Sequence, residues 1–112
     1  MSTEECPFCR IVRGELPATV VHQAESLLAI EDIQPKAPVH VIVFPERHLT
    51  SFREIGVLAA DESKRMLEFV AEAAVAAGLE DYRVIVNVGP QAGQTVYHLH
   101  WHVLGGRTLP FP

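Results

Sequence analysis

The stretch YHLHWHVLGG, residues 97–106, constrains the fold more than any other part of the chain. Its three histidines, His98, His100 and His102, alternate with Leu99, Trp101 and Val103. Successive side chains of a β-strand point to opposite faces. A strand here collects the three imidazoles on one side and turns the three apolar residues toward a core. Three imidazoles sharing a partly buried face cost desolvation unless each has a partner. That arrangement points to chemistry: either a metal cluster or a nucleophile with supporting histidines.

The 112 residues predict a single domain over 1–112 with a modest core. No apolar run approaches the ~20 residues of a membrane span, and the polar start MSTEE does not read as a signal peptide. The expectation is a soluble, cytoplasmic protein with no membrane partner. Formal charge is −5 and no cluster of Lys or Arg is present. Nucleic-acid binding relies on neutralising phosphates with a basic patch, so it is not expected. The two cysteines, Cys6 and Cys9, form a CxxC. In a reducing compartment this spacing suggests a metal site or a redox pair rather than a structural disulfide.

The patterning predicts an α+β fold. CPFCRIVRGELPA reads as a short helical turn ending near Gly14, before Pro17. Two β-rich runs, 19–23 and 27–31, flank a polar AES turn and suggest a hairpin. A third run, 39–44, puts His40, Ile42 and Phe44 on one face and Val39, Val41 and Val43 on the other. Residues 61–77 read as a helix capped by Asp61, with Leu67, Val70, Ala74 and Ala77 as its apolar stripe and Gly78 as its stop. YRVIVNVG (82–89) is a fourth strand and VYHLHWHV a fifth. The expected architecture is a five-stranded antiparallel sheet with one long helix and a short N-terminal helix.

The segment before the histidines, NVGPQAGQTVYH, offers Asn87, Gly93, Gln94 and Thr95. Gly93 lets backbone approach a ligand closely. Gln94 and Thr95 are side-chain donors beside the first histidine, equipment suited to phosphate oxygens.

GQTVYHLHWHVLGGR resembles the HxHxHxx signature of the histidine-triad (HIT) superfamily, and NVGPQAGQ is similar to the segment that precedes it. The resemblance runs from Cys6 to Arg107 and includes AIEDIQPKAPVHVIVFPERH. VLGGR after the triad points to the Hint branch of nucleoside phosphoramidases rather than to the Fhit-like dinucleoside-polyphosphate hydrolases. The resemblance implies a HIT-like sheet continued across a homodimer. It also implies a nucleotide hydrolase acting at the α-phosphate of a purine nucleotide or nucleoside phosphoramidate, through a covalent nucleotidyl-histidine. His100 would be the nucleophile, with His102, Thr95 and Gln94 binding the phosphate or leaving group. Asn87, Gly93 and His40 match positions near the phosphate, and Asp32 falls where the family accepts the ribose hydroxyls. Phe8, Ile11, Ile30 and Ile33 match positions that sandwich the base, although plain core packing suits them equally. His22 matches nothing in the family and reads as a surface residue.

Some relatives of this kind hold zinc through a CxxC, a histidine after the third strand and the first triad histidine. Here that set is Cys6, Cys9, His48 and His98, a closed Cys₂His₂ arrangement and hence a structural zinc. No cofactor is implied for the chemistry itself. The competing readings are a dinucleoside polyphosphate hydrolase, a nucleotide-sensing module with little catalysis, and a zinc hydrolase whose metal sits on the HxHxH.

Overall fold

The computed structural model describes residues 2–111. A short helix, α1 (Pro7–Val12), precedes strands β1 (Val20–Ala24), β2 (Leu27–Glu31) and β3 (Val39–Pro45). A 3₁₀ turn (Phe52–Val57) leads to helix α2 (Ala60–Ala76). Strand β4 (Tyr82–Ile85), a second 3₁₀ turn (Pro90–Ala92) and strand β5 (Trp101–Gly105) follow. The strands form one sheet in the order β1-β2-β3-β5-β4, with every neighbouring pair antiparallel. This is the expected five-stranded α+β architecture. Among the described residues no helix is long and apolar enough to cross a membrane.

Both faces of the sheet are covered, which explains why four of the five residues of β2 are buried. Leu27, Ala29, Val41, Val43, Leu99, Trp101 and Val103 pack against Met66, Phe69, Val70, Ala73 and Ala74 of α2. On the opposite face Leu28, Ile30, Ile42 and Phe44 meet Cys6, Phe8 and Cys9 from the α1 segment. The alternation read along β3 therefore holds residue by residue.

Three expectations require correction. Helix α2 starts one residue earlier than expected, with Ala59 rather than Asp61 at its N-cap. Asp61 and Glu62 occupy the first turn, where carboxylates favour the helix dipole, and Glu62 Oε1 accepts from the Ala59 N–H at 2.9 Å. The apolar stripe is Met66-Phe69-Val70-Ala73-Ala74, and Leu67 stands 59% exposed. The i, i+3, i+4 spacing fits two adjacent registers, and bulk decides for the one that buries Phe69.

The last two strands are also shorter than expected. Strand β5 begins at Trp101, so His98 and His100 lie in its extended approach. Opposite them β3 ends at Pro45, and the incoming backbone bonds elsewhere, with the Leu99 N–H donating to the Leu49 carbonyl at 2.6 Å. Strand β4 pairs only as far as Ile85↔His102, because β5 offers no further ladder beyond Trp101. Gly78, at φ +79°, ends the helical segment in the left-handed conformation expected of it.

Candidate active site

Leu99, Trp101 and Val103 bury themselves against α2 and turn the three imidazoles to the other face. His98 is fully buried and His100 is 7% exposed, while His102 is half-buried. His100 and His102 are held through Nδ1 and His98 through Nε2. His100 Nδ1 lies 2.7 Å from the His98 carbonyl. A carbonyl only accepts, so Nδ1 carries the proton and Nε2 keeps its lone pair. Burial pushes the His100 pKa below the usual histidine value, against the opposing pull of that hydrogen bond and of Asp32. A neutral ring with an unprotonated Nε2 is a nucleophile.

His102 has the reverse polarity. The Lys36 N–H donates to His40 Nδ1 at 3.0 Å, which places the His40 proton on Nε2. That proton faces His102 Nδ1 at 2.9 Å and Asp32 Oδ2 at 3.3 Å. His102 accepts on Nδ1 and therefore keeps its own proton on Nε2 as a donor. Burial, followed by the neighbouring His100 and His40, lowers its pKa to about 4. Burial also lowers that of His40. Asp32 Oδ1 accepts from the Gln34 N–H at 2.8 Å.

His98 belongs to a different group. Its Nε2 donates to the Pro45 carbonyl at 2.7 Å, leaving the Nδ1 lone pair 3.3 Å from Cys6 Sγ, 3.6 Å from Cys9 Sγ and 3.1 Å from His48 Nδ1. Cys9 Sγ is also 3.3 Å from His48 Nδ1. One ligating atom from each of Cys6, Cys9, His48 and His98 lies within 4.8 Å of the others, and neither cysteine forms a disulfide. Burial, together with neighbouring Cys6, raises the Cys9 thiol to about 11, and burial lowers His98 to about 4. Two sulfurs and two imidazole nitrogens, one of them fixed by a carbonyl behind it, form a donor set that can hold a metal ion. A second group, Asp32, His40 and His102, is equally close but is a poor match. His40 uses Nδ1 as an acceptor, so the nitrogen it turns to the group bears a proton. Among the described residues His100 enters neither group.

The preceding loop is braced rather than open. Gln94 is 4% exposed. Its Oε1 accepts from the Gly89 N–H at 2.9 Å, and its Nε2 donates to the Thr50 and Val96 carbonyls at 2.8 and 3.1 Å. The phosphate contact expected of Gln94 is thus taken up by bonds that pin the loop. Gly93 sits at φ +96° beside Asn87, a conformation that favours glycine, whereas Thr95 is exposed.

Of the four positions expected to sandwich a base, Phe8 and Ile30 are each 5% exposed within the packed cluster. Ile11 packs against that cluster, while Ile33 is 94% exposed. Phe8 stacks on Phe44, with ring centroids 4.5 Å apart. His22, read as a surface residue, is half-buried and stacks on Phe69 while facing Glu72. The carbonyls of Pro45 and His98 and the N–H of Lys36 set the histidine tautomers. The resemblance implies a backbone carbonyl next to the first triad histidine behind His100, whereas the Pro45 carbonyl and the Lys36 N–H, being backbone groups, left no residue-type signal to find.

The HIT domain family model matches residues 13–109. The chain is 40% identical over 111 residues to an uncharacterized HIT-like protein of Synechococcus elongatus, covering 98% of this chain and 97% of that one. It is 35% identical over 108 residues to the purine nucleoside phosphoramidase of Escherichia coli, covering 95% and 91% respectively. A solved HIT family hydrolase from Clostridium thermocellum superposes with a TM-score of 0.87 at 36% identity, over 99% of this chain and 98% of that one.

Proposed function

Because this chain belongs to the HIT domain family, we propose that it is a purine nucleoside phosphoramidase of the Hint type. The observation that carries this reading is the 2.7 Å bond from His100 Nδ1 to the His98 carbonyl, which leaves Nε2 free in a buried, neutral ring. His100 Nε2 attacks the α-phosphorus, and the P–N bond breaks with its electron pair going to nitrogen, which takes a proton from solvent and departs as the amine. Water then hydrolyses the nucleotidyl-histidine, returning the imidazole and releasing the nucleoside monophosphate. His102, held by His40 with its proton on Nε2, donates to a phosphate oxygen as charge shifts in the transition state. Thr95 and Asn87 flank the phosphate, the Gly93 backbone approaches it, and Gln94 braces the loop that carries them. Asp32 takes the ribose hydroxyls. Ile11 and Ile33 line the base, with Phe8 and Ile30 behind them.

Zinc at Cys6, Cys9, His48 and His98 belongs to the same proposal. When bound it ties α1, the loop after β3 and the approach to β5 together, and the chemistry is not routed through it. The proposal also includes a homodimer. It is supported by the exposed Leu67 and Val75 on α2 and by Val84 on the edge strand β4.

The test is hydrolysis of adenosine 5′-phosphoramidate beside diadenosine triphosphate, with wild type and His100→Ala in parallel. The phosphoramidate is expected to be preferred, and turnover to fall by several orders of magnitude in a variant that still binds AMP. Preference for the dinucleotide would move the protein to the polyphosphate hydrolases. No turnover of either substrate in an AMP-binding wild type would make it a sensing module.

A further inference from the structure

Phe8 lies between the two cysteines of the metal-binding group, and its ring touches both histidines that matter. Its edge-on contacts place the ring centroid 5.5 Å from that of His98, at 85°, and 5.1 Å from that of His100, at 75°. Its flat face rests on Phe44, which is itself fully buried. A ring held in this way cannot shift without either moving His100 or leaving a void beside it, since packed interiors do not deform continuously.

Apolar packing in the cluster with Leu28, Ile30, Ile42 and Phe44 seats Phe8, and the polar contacts that tie its segment to the rest of the chain are few. Among the described residues, the only side-chain hydrogen-bond or ion-pair contacts from 5–15 to any later part of the chain are those of Cys6 and Cys9 with His98 and His48. The other polar contacts of this segment stay within residues 2–15. The helix α1 is only six residues long, too short to be stable without its packing. A metal ion on the four ligands therefore acts on the segment that carries Phe8. It also acts on His98, whose carbonyl holds His100 Nδ1. Two independent paths run from the cluster to the nucleophile, one through a ring and the other through a backbone carbonyl.

We infer that Phe8 is a positioning residue coupling the Cys6/Cys9/His48/His98 cluster to His100, so that a divalent metal at the cluster and a nucleotide at His100 strengthen each other's binding. The inference rests on the proposed reading of His100 as the nucleotide site. Coupling of this kind is reciprocal: the factor by which one ligand tightens the other is the same in both directions.

The experiment measures zinc affinity by competition with a chromophoric chelator, with and without AMP, and AMP affinity by calorimetry on metal-free and zinc-loaded protein. AMP is expected to tighten zinc about fivefold or more, and zinc to tighten AMP by the same factor. In Phe8→Ala the factor is expected to fall toward the part carried through the His98 carbonyl alone, and Phe8→Leu, which keeps apolar bulk, is expected to recover part of the loss. A factor of one in the wild type overturns the coupling, and a full factor in Phe8→Ala overturns the role of Phe8. Zinc binding without AMP binding in either state overturns the nucleotide reading and the coupling with it. Should Phe8→Ala not fold, ring ¹⁵N spectra of His100 decide, recorded without nucleotide in wild type and Phe8→Leu. His100 signals that zinc leaves unmoved in the wild type overturn the inference.

Discussion

At His100 the committed nitrogen is Nδ1, at His98 it is Nε2, and at His102 it is again Nδ1, this time as an acceptor. The three residues share one face of β5 and its extended approach and differ in the backbone or side-chain group that meets them. His102 has a measurable consequence. Its pKa in the fold is about 4, below the ordinary value near 6.5. The unfolded chain therefore binds the proton first as pH falls, and stability is lost between about 6.5 and 4, by roughly 1.4 kcal/mol per pH unit for this group. Between pH 7.5 and 5, urea unfolding of the wild type is expected to weaken by up to about 2 kcal/mol more than that of His102→Asn. An equal loss in both proteins would place the sensitivity elsewhere.

At the scale of elements, α2 separates its two faces by one position. Met66 is buried and the adjacent Leu67 is 59% exposed, while Phe69 is fully buried. Phe69→Ala is expected to cost about 3–5 kcal/mol in denaturant unfolding. Leu67→Glu is expected to leave the fold intact and, for the proposed homodimer, to shift sedimentation from dimer to monomer; an unchanged dimer would move the interface off this face. Which of two adjacent registers a helix buries was not legible, because Met66, Leu67, Val70 and Ala74 satisfy the spacing about equally well in either. The alternation of β3 and of His98–Val103 was legible, since a period of two admits only one partition between faces. The ends of β4 and β5 were not, because they depend on where the partner strand stops. Gln94 illustrates the same limit within the site. A Gln beside a triad reads as a donor to ligand, and only the positions of the Thr50 and Val96 carbonyls show that its amide is already spent.

For the molecule as a whole, the ligand set spans positions 6 to 98, so a bound metal would close most of the chain into a loop. Structural zinc in small peptides contributes an apparent ~10–16 kcal/mol, against a total stability of about 5–15 kcal/mol for a typical domain. Cys6→Ser, or chelation of the wild type, is expected to lower the melting temperature by on the order of ten degrees and to reduce metal content by elemental analysis. Equal melting temperatures with no metal in either protein would remove zinc from the proposal.

The strand order β1-β2-β3-β5-β4 carries a consequence for how a ribosome delivers this chain. Strand β5 follows β4 in the chain but lies inside the sheet, so β4 emerges before the strand it pairs with. Until residues 101–105 arrive, β3 and β4 each present an unpaired edge, a hazard for aggregation in partly made chains. The same late segment, with the approach before it, brings His98, His100 and His102. Closing the sheet and assembling the chemistry are therefore one event in the life of the nascent chain, and no shorter product stopping before β5 can carry either.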